Sequence, residues 1–246
     1  VYTLLVLGLP VVPKAVAPAT GLAFEFLKDS TEPNGDRHRV FTGHDDGLIT
    51  INADEADDVL RERQRAAQNE PYRTLLGHFR HESGHYYWDR LIEHTDRLQQ
   101  FREIFGDESA SYADALKRHY EQRPRPNWQQ DYVSAYATMH PWEDWAETWA
   151  HFLHILDALE TATSAGLRLE PQRRDEPSLA ATNDLTAQTS LDFDKVIAEW
   201  LPLTYVLNNL NRGLGLSDAY PFVLSPNVIR KLRFVCDTVM APTRHR

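Results

Sequence analysis

Two histidines four positions apart, with a glutamate directly after the first, stand in the stretch Gly77-His78-Phe79-Arg80-His81-Glu82-Ser83-Gly84-His85-Tyr86-Tyr87-Trp88. This spacing constrains the chain more than any other feature. On a helix turning about 100° per residue, His81 and His85 lie about 40° apart on one face and one turn apart along the axis, so both imidazoles can reach one ion. Glu82 is then turned about 100° from His81. That places its carboxylate beside the ion rather than on it, where it can take a proton from metal-bound water. The pattern is HExxH.

Composition decides which residues could complete such a site. The chain has 11 histidines and one cysteine, Cys236, so an intrachain disulfide and a cysteine-based zinc cluster are excluded and a metal site must use His, Asp and Glu. The scarcity of cysteine points to a reducing, cytoplasmic location, and Cys236, in an apolar run, reads as a core residue. With 26 Lys+Arg against 36 Asp+Glu the net charge is −10, which argues against a partner made of nucleic acid. The apolar stretch from Val1 to Val16 is broken by Pro10, Pro13 and Lys14, so no membrane span is expected, and it lacks the basic start of a signal peptide.

The pattern predicts an α+β fold in a single domain, 1–246, with a small N-terminal antiparallel sheet followed by a mostly helical body. Residues 1–52 are β-rich: Leu22 to Leu27 is short and aromatic, Glu32 to Asp36 is turn chemistry, and Gly47 to Asn52 alternates after a turn at Asp45-Asp46-Gly47. Gly47 to Asn52 is either an edge strand along which an extended peptide could pair or a two-sided structural strand. From residue 53 the period becomes helical. Helices are expected over Ala53–Asn69, Pro71 to about Thr95, Asp96–Phe105, Ser111–Gln122, Asp131–Thr138, Trp142–Thr163, Leu191–Leu210 and Pro226–Met240, with an exposed loop at about 163–190.

A catalytic zinc site typically has three protein ligands and a water, so two histidines are not enough. The position six residues after His85 is Leu91, and His94 falls on the opposite side of the helix, so the third ligand must come from elsewhere. Glu143 and Glu147, at i and i+4 after Pro141, share one helix face and would repel unless something positive sat over them. An ion bearing two histidines would remove that cost, with one glutamate binding it and the other bonding a ligand histidine's free N–H. Trp142, Trp145 and Trp149 flank the pair, which favours a buried site over a wet helix face. His78 and His140 are possible neighbours of the site, while His151 and His154 have no role that spacing supplies.

HExxH followed by Glu-x-x-x-Glu resembles the gluzincin arrangement, which implies a zincin-like fold, Zn²⁺ as cofactor, Glu143 as third ligand and Glu147 as the carboxylate behind a ligand histidine. Some gluzincins carry a tyrosine seven residues before the ligand glutamate that donates to the developing oxyanion, and Tyr136 stands there. The chain also resembles a bacterial family of zinc-binding metallopeptidases with an N-terminal zinc ribbon, in Leu7 to Val11, Thr42 to Thr50, Tyr72 to Trp88 and Ala135 to Ile155. With one cysteine this chain does not contain the ribbon.

The resemblance implies hydrolysis of a peptide or protein substrate. Zinc on His81, His85 and Glu143 would acidify its water, Glu82 would act as general base, and Tyr136, or else His140, would bond the oxyanion. Two rival readings use the same residues. One is a zinc-binding domain that binds a protein partner without hydrolysis, which an Ala or Gln at position 82 would have favoured. The other is a two-histidine, one-carboxylate iron oxygenase, which has no need of Glu82 and suits a β-barrel rather than helices.

Overall fold

The computed structural model describes residues 2–31, 37–68, 70, 72–122, 124–171, 180–181 and 191–241. The apolar N-terminal run opens with a short helix, α1 (Tyr2–Val6), where only strands and turns are expected from the sequence. Strand β1 (Ala23–Leu27) follows, then an antiparallel ribbon of β2 (Ser30–Thr31) and β3 (Arg37–His38), then a hairpin of β4 (Gly43–Asp45) and β5 (Leu48–Asn52). The expected turn at 32–36 lies outside the described residues. Asp46 and Gly47 close the hairpin with φ of 40° and 80°, the type I′ geometry whose twist matches the strands it joins. Glycine is required at 47 twice over, because a Cβ there would also run into the carbonyl oxygen of Gly21.

The sheet is mixed rather than antiparallel. β4 pairs antiparallel with β5, but β1 pairs parallel with β5, from Ala23 opposite Leu48 to Leu27 opposite Asn52, giving the order β1-β5-β4. The chain leaves β1 and passes through the ribbon and β4 before entering β5, so β1 and β5 are joined by a crossover and not by a hairpin. β5 is therefore the two-sided strand: Ile49 and Ile51 are buried, both of its edges are paired, and no peptide can pair with it. Among the described residues the open edges of this sheet belong to β1 and β4.

A 3₁₀ turn, Ala53–Ala56, capped by the Asn52 side chain, leads into the helices α2 (Asp58–Gln68), α3 (Leu75–Leu91), α4 (Leu98–Phe105), α5 (Tyr112–Glu121), α6 (Pro141–Ser164), α7 (Phe193–Gly213) and α8 (Pro226–Met240). α3 starts later than Pro71, which lies outside the described residues. Thr74 Oγ1 accepts the Gly77 N–H at 2.9 Å, and this cap sets the helix start. Most of the expected loop at 163–190 also lies outside the described residues.

The helix expected over Asp131–Thr138 is absent. In its place 3₁₀ turns at Trp128–Gln130 and Tyr136–Thr138 flank bends. Ser134 Oγ accepts the Ala137 N–H, the Thr138 hydroxyl donates to the Ala135 carbonyl, and the Lys231 ammonium takes the Asp131 carbonyl, all of which compete with helical bonding. His140 then extends (φ −153°) ahead of Pro141.

The core lies between α3 and α6. Trp145, Trp149, Tyr87, Phe101 and Phe152 are fully buried there, each burial being worth about 1.5–3 kcal/mol. The two helices approach closely at Gly84, where a Cβ would stand 2.9 Å from the Ala146 Cα. Both indoles lock the crossing: Trp145 Nε1 donates to the Gly84 carbonyl at 2.8 Å and Trp149 Nε1 to Ser83 Oγ at 3.1 Å. α8 closes the far side of α6 through Phe234 on Trp145 and a buried Lys231–Asp144 ion pair.

Candidate metal centre

The close crossing puts one face of α3 against the first two turns of α6. His81 and His85 come from α3, and Glu143 comes from the first turn of α6, where the unpaired N–H groups favour a carboxylate. His81 Nε2, His85 Nε2 and Glu143 Oε2 converge, with separations of 3.2 Å between the nitrogens and 2.9 and 3.5 Å from the oxygen to His81 and His85. Ligand atoms at opposite ends of a tetrahedral edge, with bonds of 2.0–2.1 Å to zinc, would lie about 3.3 Å apart. Glu143 Oε2 is buried and, among the described residues, has no hydrogen-bond partner of good geometry; it faces the two imidazoles. Donor type, spacing and the orphaned oxygen all fit a divalent metal ion.

Glu147 is set back from this point. Its Oε1 lies 2.7 Å from His81 Nδ1, so the N–H of that nitrogen is committed to it and Nε2 carries the lone pair toward the centre. Ser134, from the irregular segment, also bonds Glu147. Among the described residues His85 Nδ1 is buried without a hydrogen-bond partner, and the Trp142 ring covers His85 at 3.9 Å between centroids.

The electrostatics follow from this packing. Burial opposes a charge on His81, but the Glu143 and Glu147 carboxylates at its two nitrogens outweigh it and raise its pKa well above the ordinary value. Burial opposes ionisation of Glu143 too, yet the two imidazoles hold its pKa well below the carboxylate range. Glu147 is depressed to about 2 in the same way, through His81, His151 and Ser134. The two carboxylates thus call for positive charge between them, as an ion would supply. Glu82 is buried on α3, and burial raises its pKa against the partial opposition of His81 and His85.

Of the remaining sequence candidates, Tyr136 stands beside the centre, its ring 5.9 Å from that of His81. Its hydroxyl bonds that of Tyr112. His140 is a helix cap: Nδ1 accepts the Trp142 N–H at 3.2 Å and Nε2 donates to the Ala110 carbonyl at 3.0 Å. Both ring nitrogens serve the backbone, which removes it as an oxyanion donor and makes it the residue that starts α6 in the right place. His78 turns toward Glu55 instead, 3.7 Å away, and burial lowers its pKa to about 4.

The structure adds residues that spacing did not suggest. The Tyr112 hydroxyl donates to Glu143 Oε1 at 2.7 Å. Tyr112 is also one wall, with Trp142 and His140, of a cavity of about 470 Å³ whose other walls are Trp88, Glu93, His94, Leu98, Arg102 and Glu108. The side chain of His44 on β4 is enclosed, its ring stacked 6.5 Å from that of His85, and burial lowers its pKa to about 4. His151 extends the buried polar row of α6 and shares a 2.7 Å hydrogen bond with the Tyr220 hydroxyl. The serine cap at Ser111 signals where α5 starts, but nothing local to Tyr112 says that its hydroxyl meets Glu143.

A family model described as "Putative zinc-binding metallo-peptidase" matches residues 1–238. The chain belongs to that family. Among its relatives, uncharacterized proteins of Mycobacterium bovis and of two Mycobacterium tuberculosis strains are each 48% identical over 230 residues, or 93% of this chain. The chain spans 63% of the length of these relatives. No solved structure matches it. The family's description as zinc-binding agrees with the buried His81, His85 and Glu143 group. Among the described residues no helix is long and apolar enough to cross a membrane.

Proposed function

We propose that this chain carries a zincin-like peptidase centre of gluzincin type, with His81, His85 and Glu143 as zinc ligands and Glu82 as general base. The observation that carries the reading is the convergence of three buried ligand atoms at 2.9–3.5 Å, with Glu82 on the same helix turn. Zinc bound there supplies Lewis acidity and brings the pKa of a coordinated water to about 7.

The protein's own groups do the rest. Glu147 holds the His81 ring in the tautomer that presents Nε2. Glu82, its pKa raised by burial, accepts the proton of the attacking water as the water oxygen bonds the carbonyl carbon. It then delivers that proton to the amine nitrogen as the C–N bond breaks. Tyr136 turns its one O–H from Tyr112 to the oxyanion that forms on the carbonyl. The cavity walled by Trp88, Leu98, Tyr112 and Trp142 receives a substrate side chain next to the centre.

Metal analysis combined with a Glu82→Gln variant tests this. One equivalent of zinc in both proteins, with cleavage of a broad peptide library by the parent alone, is the expected result. A parent protein that binds zinc but cleaves nothing would point to a binding domain instead. Loss of zinc on Glu82→Gln would remove Glu82 from its role beside the metal.

A further inference from the structure

The carboxylate of Glu143 divides its two oxygens between different partners. Oε2 faces the imidazole nitrogens of His81 and His85, whereas Oε1 accepts a 2.7 Å hydrogen bond from the Tyr112 hydroxyl. An ionised carboxylate can only accept, so the single O–H of Tyr112 is directed at Glu143. The geometry does not follow from Glu143 alone, because the terminal torsion of a glutamate is broad and nearly two-fold. Without a partner for Oε1, rotation about that bond would let both oxygens face the centre.

We infer that Tyr112 is a positioning residue that confines Glu143 to one-oxygen coordination and so keeps a position open at the metal for water. The inference rests on the metal centre described above, and extends it to a residue 31 positions away on a separate helix. A metal held by two histidines and one carboxylate oxygen has three protein ligands and room for a fourth. A second oxygen from Glu143 would fill that room. Tyr112 prevents this by giving Oε1 a better partner, a hydrogen bond to an ionised group being among the stronger kinds.

A plainer role for the same bond is to fasten α5, in which Ala115 alone is buried. The two roles differ in what they do to the metal. A fastening bond could be lost without changing the ion's coordination, whereas a positioning bond could not.

The test is cobalt(II) substitution of the whole chain and of Tyr112→Phe, read by the visible absorption of the ion. The parent should show the intense bands of a four-coordinate site, and Tyr112→Phe the weaker, shifted bands of a higher coordination number. Acetohydroxamate, which needs an open position, should bind the variant at least about tenfold more weakly, and peptide turnover should fall about 10–100-fold in kcat with little change in KM. Circular dichroism and one bound equivalent of cobalt would show that the variant folds. If both proteins bind cobalt with the same spectrum and the same acetohydroxamate affinity, Tyr112 only fastens α5 and the inference fails while the metal centre stands. A parent that takes up no cobalt overturns the centre itself and this inference with it.

Discussion

His81 presents one ring nitrogen to each of two glutamates: Nδ1 lies 2.7 Å from Glu147 and Nε2 lies 2.9 Å from Glu143. Only the first of these contacts can persist as a hydrogen bond once Nε2 binds a metal, so Glu147 sets the tautomer and the angle of the ring. Partners of this kind change metal affinity by about 10–100-fold when removed. Glu147→Gln keeps an acceptor near Nδ1 but loses the charge, and its zinc affinity should fall within that range while the stoichiometry stays at one. Competition with a chromophoric chelator measures it, and an unchanged affinity would separate Glu147 from the metal.

One turn beyond Glu147, His151 is buried against Tyr220, and burial lowers its pKa to about 4. Unfolded, it titrates near its ordinary value of about 6.5. Between these values the unfolded chain binds a proton that the folded chain refuses, so the stabilising contribution is whole above pH 6.5 and is lost as pH falls toward 4. At pH 5 the loss is on the order of 2 kcal/mol relative to neutral pH. His154, lowered to about 3, adds in the same direction, so the comparison must be between variants. Chelator-treated His151→Asn, with an amide in place of Nδ1, should lose less stability than the parent between pH 7.5 and 5. Equal losses in urea unfolding would show that His151 is not held neutral.

Close packing of α3 on α6 is what brings ligands from two helices together, and Gly84 is its narrowest point. An alanine in an open helix would gain up to about 1 kcal/mol over glycine. At position 84 the added methyl meets the Ala146 backbone at 2.9 Å and Trp149 at 3.1 and 3.2 Å, and none of these atoms is the end of a flexible chain. Overpacking of this kind costs about 1–3 kcal/mol. Gly84→Ala should therefore lower the melting temperature and weaken zinc binding together, since parting the helices separates Glu143 from His81 and His85. A rise in melting temperature would mean the helices part without cost.

How far the site could be read before the structure depends on how local its determinants are. His81, Glu82 and His85 were legible because helical geometry alone fixes their relative directions, and the alternation of Gly47 to Asn52 placed a strand that starts one residue later, at Leu48. Glu143 and Glu147 were legible as a pair, but their division of labour rests on which one α3 meets first. Tyr112 was not legible: its partner lies 31 residues away and its own neighbourhood is an ordinary capped helix. The parallel pairing of β1 with β5 was hidden for the same reason, being a product of the crossover rather than of either strand. The failed helix at 131–138 is the clearest case, because the group that captures the Asp131 carbonyl, the Lys231 ammonium, is 100 positions away on α8.

That lysine also carries a stability prediction. Lys231 and Asp144 form a buried ion pair at 2.6 Å, with side-chain exposures of 6% and 0%, and the ammonium rests 4.2 Å from the Tyr132 ring centroid. Breaking a buried pair by removing one partner costs about 3–5 kcal/mol, because the other charge is left uncompensated. Lys231→Met should show a loss of that size, and Lys231→Met with Asp144→Asn a smaller one. The dependence on pH has a definite sign. Burial already raises Asp144 to about 7 against the pull of Lys231, and removing the lysine raises it further. A carboxyl whose folded pKa lies above its unfolded one contributes less as pH rises, so the penalty of Lys231→Met over the parent should grow between pH 5 and pH 8. Urea unfolding at the two pH values reads this directly. A penalty that is the same at both would mean that the loss comes from packing around Tyr132 and the freed Asp131 carbonyl, and not from a stranded carboxylate beside Glu143.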